Sequence, residues 1–526
     1  MNFKDLDDLI RSGAKEIVLD SDIVINKQEA SQYSKGIKLD VDGLAIDGAG
    51  HSIDAGKRAR IFHCTGKGIT LKNITFKRGF SRNAGAIYNS GQMNIESSTF
   101  ENDNAQSWGG AIYNSGKLSI SDSKFNECLA KRGGALFNMG ELSIMGCGLE
   151  ENASSRGAAI YANHDSKISI SKSAFRRNSV RGKFSYGGAI HSGGDLTVEE
   201  SVFEHNVAGS DGGAIYNDES KMSIFDCELS DNVASDHGGA VYANGGESDI
   251  AKSTFRGNEA RNEGGGVYNE KGMLNISYCE FAYNGAMLTY KSVGGALYNH
   301  EGEMNIRSSV ISNNSARQGG GLYNLDGKLD ISDSTLTGND AWDGGALYGE
   351  GGELSICGSD LSGNDAYSWG GAIYKTDCRL TIYDSTLLKN TAGPSAGAIE
   401  NYGILNIFNC TFRENIAKEN SGGALRSSGD VTIFNSTFDG NVAQTGGAIC
   451  IDFATPIKIF DSTFENNVAV EFAGAIYHHI FKVDLSGFFV DDGIVNWSGA
   501  YEYAPNLIRI VIRNSIFKNN RPDDLG

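Results

Sequence analysis

Proline is almost missing from this chain, with 4 in 526 residues. Basic charge is short too: 46 Lys and Arg stand against 65 Asp and Glu, a net charge of −19. No apolar run approaches the roughly 18 residues that a membrane-spanning helix needs. Each shortage excludes a class of protein. Scarce proline excludes collagen and proline-rich linkers, and 40% hydrophobic with 10% aromatic residues excludes wholesale disorder. An acidic chain without a basic stripe is not built to hold nucleic acid. The 9 His are dispersed apart from His478-His479, and the 9 Cys include no Cys-x-x-Cys pair, so no zinc signature is present.

Glycine is abundant instead, at 69 residues, and a repeat explains where it goes. A Gly-Ala-aliphatic core, usually Gly-Gly-Ala-Ile-Tyr-Asn, recurs seventeen times, from Gly85 through Gly213 and Gly345 to Gly474 and Gly499, about every 26 residues. Each unit also carries an aliphatic-x-aliphatic run (Leu118-Ser119-Ile120) and a Ser-x-Phe/Leu run (Ser201-Val202-Phe203). An Asn follows three residues later, then usually an Ala and a variable stretch. Period-2 spacing between turn residues predicts strands, and nothing sustained at period 3.6 competes. Three short strands in about 26 residues are too few for a propeller blade. They suit one coil of a parallel β-helix, an all-β solenoid whose coils stack at roughly 4.8 Å into a rod on the order of 80 Å.

Stacking turns equivalent positions into columns. One column is Ser in most repeats and Cys at Cys147, Cys227, Cys279 and Cys410, which marks a small inward site. Another runs as Asn from Asn152 to Asn467 and Asn520, with Asp103 and Cys128 in its first two places. Stacked amides of this kind hydrogen-bond along the axis and satisfy turn backbone. The chain divides into a cap and first strand over 1–36, coils lacking the Gly-Gly-Ala motif over 37–80, the repeats over 81–500, and a final incomplete coil over 501–526, all one solenoid domain. Phe3 to Ile10 reads as a short amphipathic capping helix with Phe3, Leu6, Leu9 and Ile10 on its apolar side. No matching cap is visible at the far end, which leaves that edge open to end-to-end or lattice contacts.

Gly-Gly-Ala-aliphatic alternating with Phe-x-x-Asn, as at Gly212 to Ile215 and Phe203 to Asn206, resembles the repeats of chlamydial polymorphic outer-membrane proteins. With its segment GLAIDGAGHSID, the fuller Gly-Gly-Ala-Ile-Tyr-Asn form is similar to adhesin-like β-helix proteins of methanogenic archaea. The resemblance covers residues 40–520. It implies a right-handed β-helix of the pectin-lyase-like type, an adhesive role and a cell-surface or extracellular location. MNFKDLDDLI lacks the features of a signal peptide, so a cytoplasmic location stays open.

No catalytic, metal or cofactor signature stands out. Asp40 with Asp42 and Asp491-Asp492 read equally well as solvated turns, and His191 and His237 as surface substitutions. Aromatics are the informative candidates. If the aliphatic after Ala points inward, the next residue points outward, which makes Tyr268, Tyr298, Tyr323, Tyr348 and Tyr374 part of an exposed stripe. That column also accepts His191, Glu400 and Arg426, which are costly to bury. The stripe serves either self-stacking or contact with a glycan or protein. Trp108, Trp342, Trp369 and Trp497 all lie just before Gly-Ala elements, with Tyr367 beside Trp369. The two longest repeats extend this same stretch, at Arg181 to Tyr186 and Met287 to Ser292. Insertions gathered on one edge mark a binding face. The expectation is therefore a non-enzymatic, adhesin-like β-helix that binds glycans or proteins through Trp108, Trp342, Tyr367, Trp369 and the Tyr stripe. A polysaccharide lyase or glycoside hydrolase on the same fold is the alternative, and a purely structural spacer is a third.

Overall fold

The computed structural model describes residues 1–286, 292–452, 455–478, 483–484, 500–501 and 510–522. They form a right-handed parallel β-solenoid of about 18 coils with roughly 26 residues in each. It comprises two compact units, Met1–Ala260 and Arg261–Gly526, built on one plan.

Each coil has three faces. The first carries both the Gly-Gly-Ala strand and the aliphatic-x-aliphatic strand, such as Ile112–Asn114 and Lys117–Ser121. The second carries the Ser-x-Phe strand, as in Lys124–Asn126. The third is a short segment that follows the column Asn, such as Asn104–Trp108, where the sequence shows only an Ala and a variable stretch. Register repeats from coil to coil: Leu118 lies beside Leu142 and Leu142 beside Ile168. The inward rows are aliphatic on the first face and Phe or Leu on the second, with Phe100 and Phe125 stacked at 4.5 Å.

The small and amide columns behave as expected. Asn364 Oδ1 accepts both the backbone N–H and the side-chain amide of Asn339, each at 3.1 Å, and its own Nδ2 donates to Leu336 O at 2.9 Å. The same bonds recur from Asn152 to Asn232 and from Asn284 to Asn467. Cys147 takes the place of a Ser, with the Ser123 N–H donating to its sulfur at 3.4 Å.

Helix α1 (Phe3–Arg11) caps the first coil, started by a capping box in which Asn2 and Asp5 exchange bonds. Phe3, Leu6 and Ile10 are buried as expected, whereas Leu9 is exposed and Asp7 takes the fourth buried place. Asp7 is paid for by Arg11 at 2.9 Å and the Tyr33 hydroxyl at 3.2 Å. A second helix, α2 (Lys27–Gln32), follows the second-face strand Ile23–Val24 of that first coil.

At the other end the ladder differs from the sequence count. Ile510–Arg513 pairs with Ile457–Phe460, and Asn467 bonds to Asn520, 53 residues on. Ala500 and Tyr501, right after Gly499, run antiparallel to Val511 and Ile510, so that seventeenth motif does not continue the parallel ladder. Trp497, Asp491-Asp492, His479 and residues 287–291 of the longest repeat lie outside the described residues. No helix among the described residues is long and apolar enough to cross a membrane.

Candidate functional site: an aromatic edge and a buried charge cluster

The chain turns from the third face into the Gly-Gly-Ala strand through a sharp corner. Gly370 adopts φ +65°, and a Cβ there would sit 2.3 Å from Ile373 O. On Gly371 a Cβ would sit 2.2 Å from the next coil's Gly397 O. Only glycine fits both places.

This corner decides the fate of the Tyr column. Tyr268, Tyr298, Tyr323 and Tyr348 are buried and Tyr374 is half-buried, so they do not form an exposed stripe. Alternation does put the rings on the side of the strand away from the core, but that side is the inside of the corner. There the rings stack on one another, Tyr268 to Tyr298 at 4.7 Å, Tyr323 to Tyr348 at 4.8 Å and Tyr348 to Tyr374 at 4.7 Å. Residues just before the glycines close over them: Arg132 lies 5.3 Å from the Tyr161 ring, and Trp108 stacks on Phe137 at 5.3 Å. His191 is likewise buried in this column, between Tyr161 and Tyr216, and burial pushes its pKa down to about 3. His237 is half-buried and bonded to Asp211 at 2.8 Å.

Exposed aromatics occur on the first face, such as Phe225, Tyr383 and Phe434, and on the outer side of the third, where Trp342 and Tyr367 lie. Along the third face, Ser315, Asp340, Asp365 and Thr391 form one row and Ala316, Ala341, Ala366 and Ala392 the next, inward row. One residue further, Arg317, Trp342 and Tyr367 project outward. Trp342 and Tyr367 are 45% and 68% exposed, with ring centroids 4.4 Å apart. The Arg317 guanidinium covers the Trp342 ring at 5.6 Å. Trp369 belongs to a neighbouring row and leans on Tyr374 at 6.3 Å. Trp108 has its ring partners in Tyr113 and Phe137. Of the expected aromatic residues, the fold thus joins Trp342 with Tyr367 and Trp369 with Tyr374. Arg317 was not singled out in the sequence, because its relation to Trp342 exists only through the coil-to-coil register.

A second feature was equally hidden. The row that passes from Asp343 to Trp369 continues as Ser395, Ser421 and Thr445. Where these small residues stand, the Tyr column changes to Glu400 and Arg426. Glu400 is fully buried, 3.0 Å from Arg426, which also pairs with Asp452. Burial raises the Glu400 pKa to about 8 despite Arg426 and a bond from Tyr402. Three ionisable groups thus converge, with the guanidinium bonded to both carboxyl groups. Asp40 and Asp42 are turn residues, paired with Lys38 at 2.8 Å and accepting the Lys67 N–H at 2.8 Å. No group of His, Cys, Asp and Glu able to hold a metal occurs among the described residues.

Fold and columns together define a right-handed parallel β-helix repeat protein. Residues 60–224 match the family model of the right-handed beta helix region, and residues 435–452 that of the Chlamydia polymorphic membrane protein repeat. Comparison with curated proteins gives no match. Among solved structures, a PL6 family alginate lyase, AlyGC, aligns over 98% of this chain and 99% of its own at 8% identity and a TM-score of 0.28. A likeness that slight carries no argument about this chain's chemistry.

Proposed function

We propose that this is a non-enzymatic, adhesin-like surface β-helix that binds glycans or proteins through its third-face aromatic edge. The observation that carries this reading is the exposed Arg317–Trp342–Tyr367 stack. Exposed aromatic rings gathered across coils and flanked by polar groups suit sugar and protein contact. The match to a membrane-protein repeat supports a surface location, and the acidic charge argues against nucleic acid as partner. The stacked Tyr column is assigned a structural part, since its rings are buried or half-buried against one another. Glycan-array or pull-down binding tests the reading: Trp342→Ala with Trp369→Ala should abolish binding, and unchanged binding removes the aromatic edge from it.

A second reading, a polysaccharide lyase or hydrolase, draws on the convergence of Glu400, Arg426 and Asp452. Such enzymes need a carboxyl free to move a proton. Turnover of polygalacturonate, with or without Ca²⁺, that disappears in Glu400→Gln would establish this reading in place of the first.

A further inference from the structure

The outward row that begins Arg317, Trp342, Tyr367 continues with Gly393 and then Lys418. Register places them so: Asp365 pairs with Thr391 and Thr391 with Ile416, while the Gly393 N–H donates to Ala366 O and the Lys418 N–H to Ala392 O. Arg317 lies over the Trp342 ring, and the Tyr367 ring packs against it at a tilt of 39°. Tyr367 is itself 68% exposed, and the next rung after it is Gly393, which has no side chain. A side chain cannot be added there, because a Cβ on Gly393 would lie 2.2 Å from Tyr367 O. Tyr367 and Lys418 are thus two strand spacings apart, about 9.5 Å, and the layer between them has no side chain of its own and is crossed by the stem of Lys418.

We infer that the Gly393 rung is a subsite for one neutral pyranose ring, which would displace the stem of Lys418, stack on the exposed ring of Tyr367 and be held at its rim by Asp365, Thr391 and Lys418. The inference rests on the glycan-binding reading above and narrows it. The thickness of the layer suits a single saturated ring whose C–H face lies on the aromatic one. Its rim offers what hydroxyls need. Lys418 reaches back over Gly393 to Asp365 at 3.4 Å, and the Thr391 hydroxyl bonds to the same carboxylate. That ion pair is about half exposed on both sides, so opening it for a ligand costs little. An aromatic side chain from a protein partner would leave these polar groups unused. A uronic acid would meet Asp340 and Asp365, stacked one coil apart, on a chain of net charge −19. A neutral sugar meets neither objection.

The test is calorimetric titration of the full chain with gluco-, manno- and galacto-hexaoses and with an oligogalacturonate of equal length. At least one neutral hexaose should bind, and the oligogalacturonate should bind about tenfold more weakly than it. Tyr367→Ala should lose about tenfold or more and Tyr367→Phe little, while Lys418→Met should lose several-fold. Both positions are exposed, so the melting temperature of each variant should stay at the wild-type value. A hexaose affinity unchanged in Tyr367→Ala or Lys418→Met overturns the subsite, as does preference for the acidic oligomer or no binding of any hexaose. If binding of another glycan or of a protein then still depends on Trp342 and Trp369, the wider aromatic-edge reading stands without the subsite; if nothing depends on them, both fall.

Discussion

Lys375 Nζ donates to Asn401 Oδ1 at 2.6 Å, joining two adjacent coils inside a row that holds asparagine in several other coils, such as Asn299 and Asn324. The amine is fully buried, and burial lowers its pKa from 10.5 to about 8. Below pH 8 both folded and unfolded chains carry the proton, and the fold bears the whole cost of the buried charge. Between pH 8 and 10.5 the unfolded chain holds more protons, so stability rises with pH. Lys375→Met should therefore melt higher than wild type at pH 7, by up to about 3 kcal/mol. The difference should shrink by pH 10, where the folded wild-type amine is neutral, and in the variant Asn401 Oδ1 keeps the Gly403 N–H. Melting curves of both proteins across that range check it.

Glu400 gives the opposite slope. Its carboxyl titrates near 8 in the fold against 4.5 ordinarily, because burial disfavours the charge. The folded state then holds the proton longer, and stability falls as pH rises from 4.5 to 8. Glu400→Gln keeps a neutral hydrogen-bonding side chain and leaves Arg426 to Asp452. It should flatten that fall and stabilise the protein by a few kcal/mol at pH 8. A variant whose melting temperature drops with pH as steeply as wild type would contradict this.

Asn364 is expected to be among the costliest single positions. Asn364→Ala removes the acceptor of the Asn339 N–H and the donor to Leu336 O, two groups inside the core, and one of the two acceptors of Asn339 Nδ2, which keeps Ile311 O. At about 1–3 kcal/mol for each buried unpaired group, the loss should reach several kcal/mol in thermal or urea unfolding. Asn364→Asp should be destabilising at pH 8 and much less so at pH 5, since burial raises the carboxyl at the equivalent Asp103 well above its ordinary range.

Tyr323 and Trp342 should separate stability from binding. Tyr323 is buried, stacked between Tyr298 and Tyr348, with its hydroxyl donating to Glu350 at 2.6 Å. Tyr323→Ala should cost about 3–5 kcal/mol, the range for large-to-small aromatic changes in a core. Trp342→Ala should change stability by under about 1 kcal/mol, because nearly half of the ring is in water, and should remove ligand binding. Paired melting and binding measurements on the two variants check the division.

The repeat made the coil, its length and its inward columns legible, since an inward position faces the same demand in every coil. Ser or Cys at one site and Asn at another are the only small or amide side chains that complete the turn hydrogen bonds, so they recur visibly. The Tyr column was misread for a definite reason. Alternation reports which side of a strand a residue occupies, and the Gly-Gly corner decides whether that side meets water. Glu400, Arg426 and Asp452 stand 26 residues apart in succession and resemble isolated tolerances until they are stacked. Arg317, Asp365 and Lys418 were hidden in the same way, their partners lying one or two coils distant.

Sequence alone determined that this protein is a parallel β-helix, because period, glycine placement and ladder residues are properties of a single coil repeated. Tertiary structure decided which aromatics are surface and which are filling, and where charge gathers. Those properties belong to pairs of residues about 26 or more positions apart, which only the stacking of coils brings into contact.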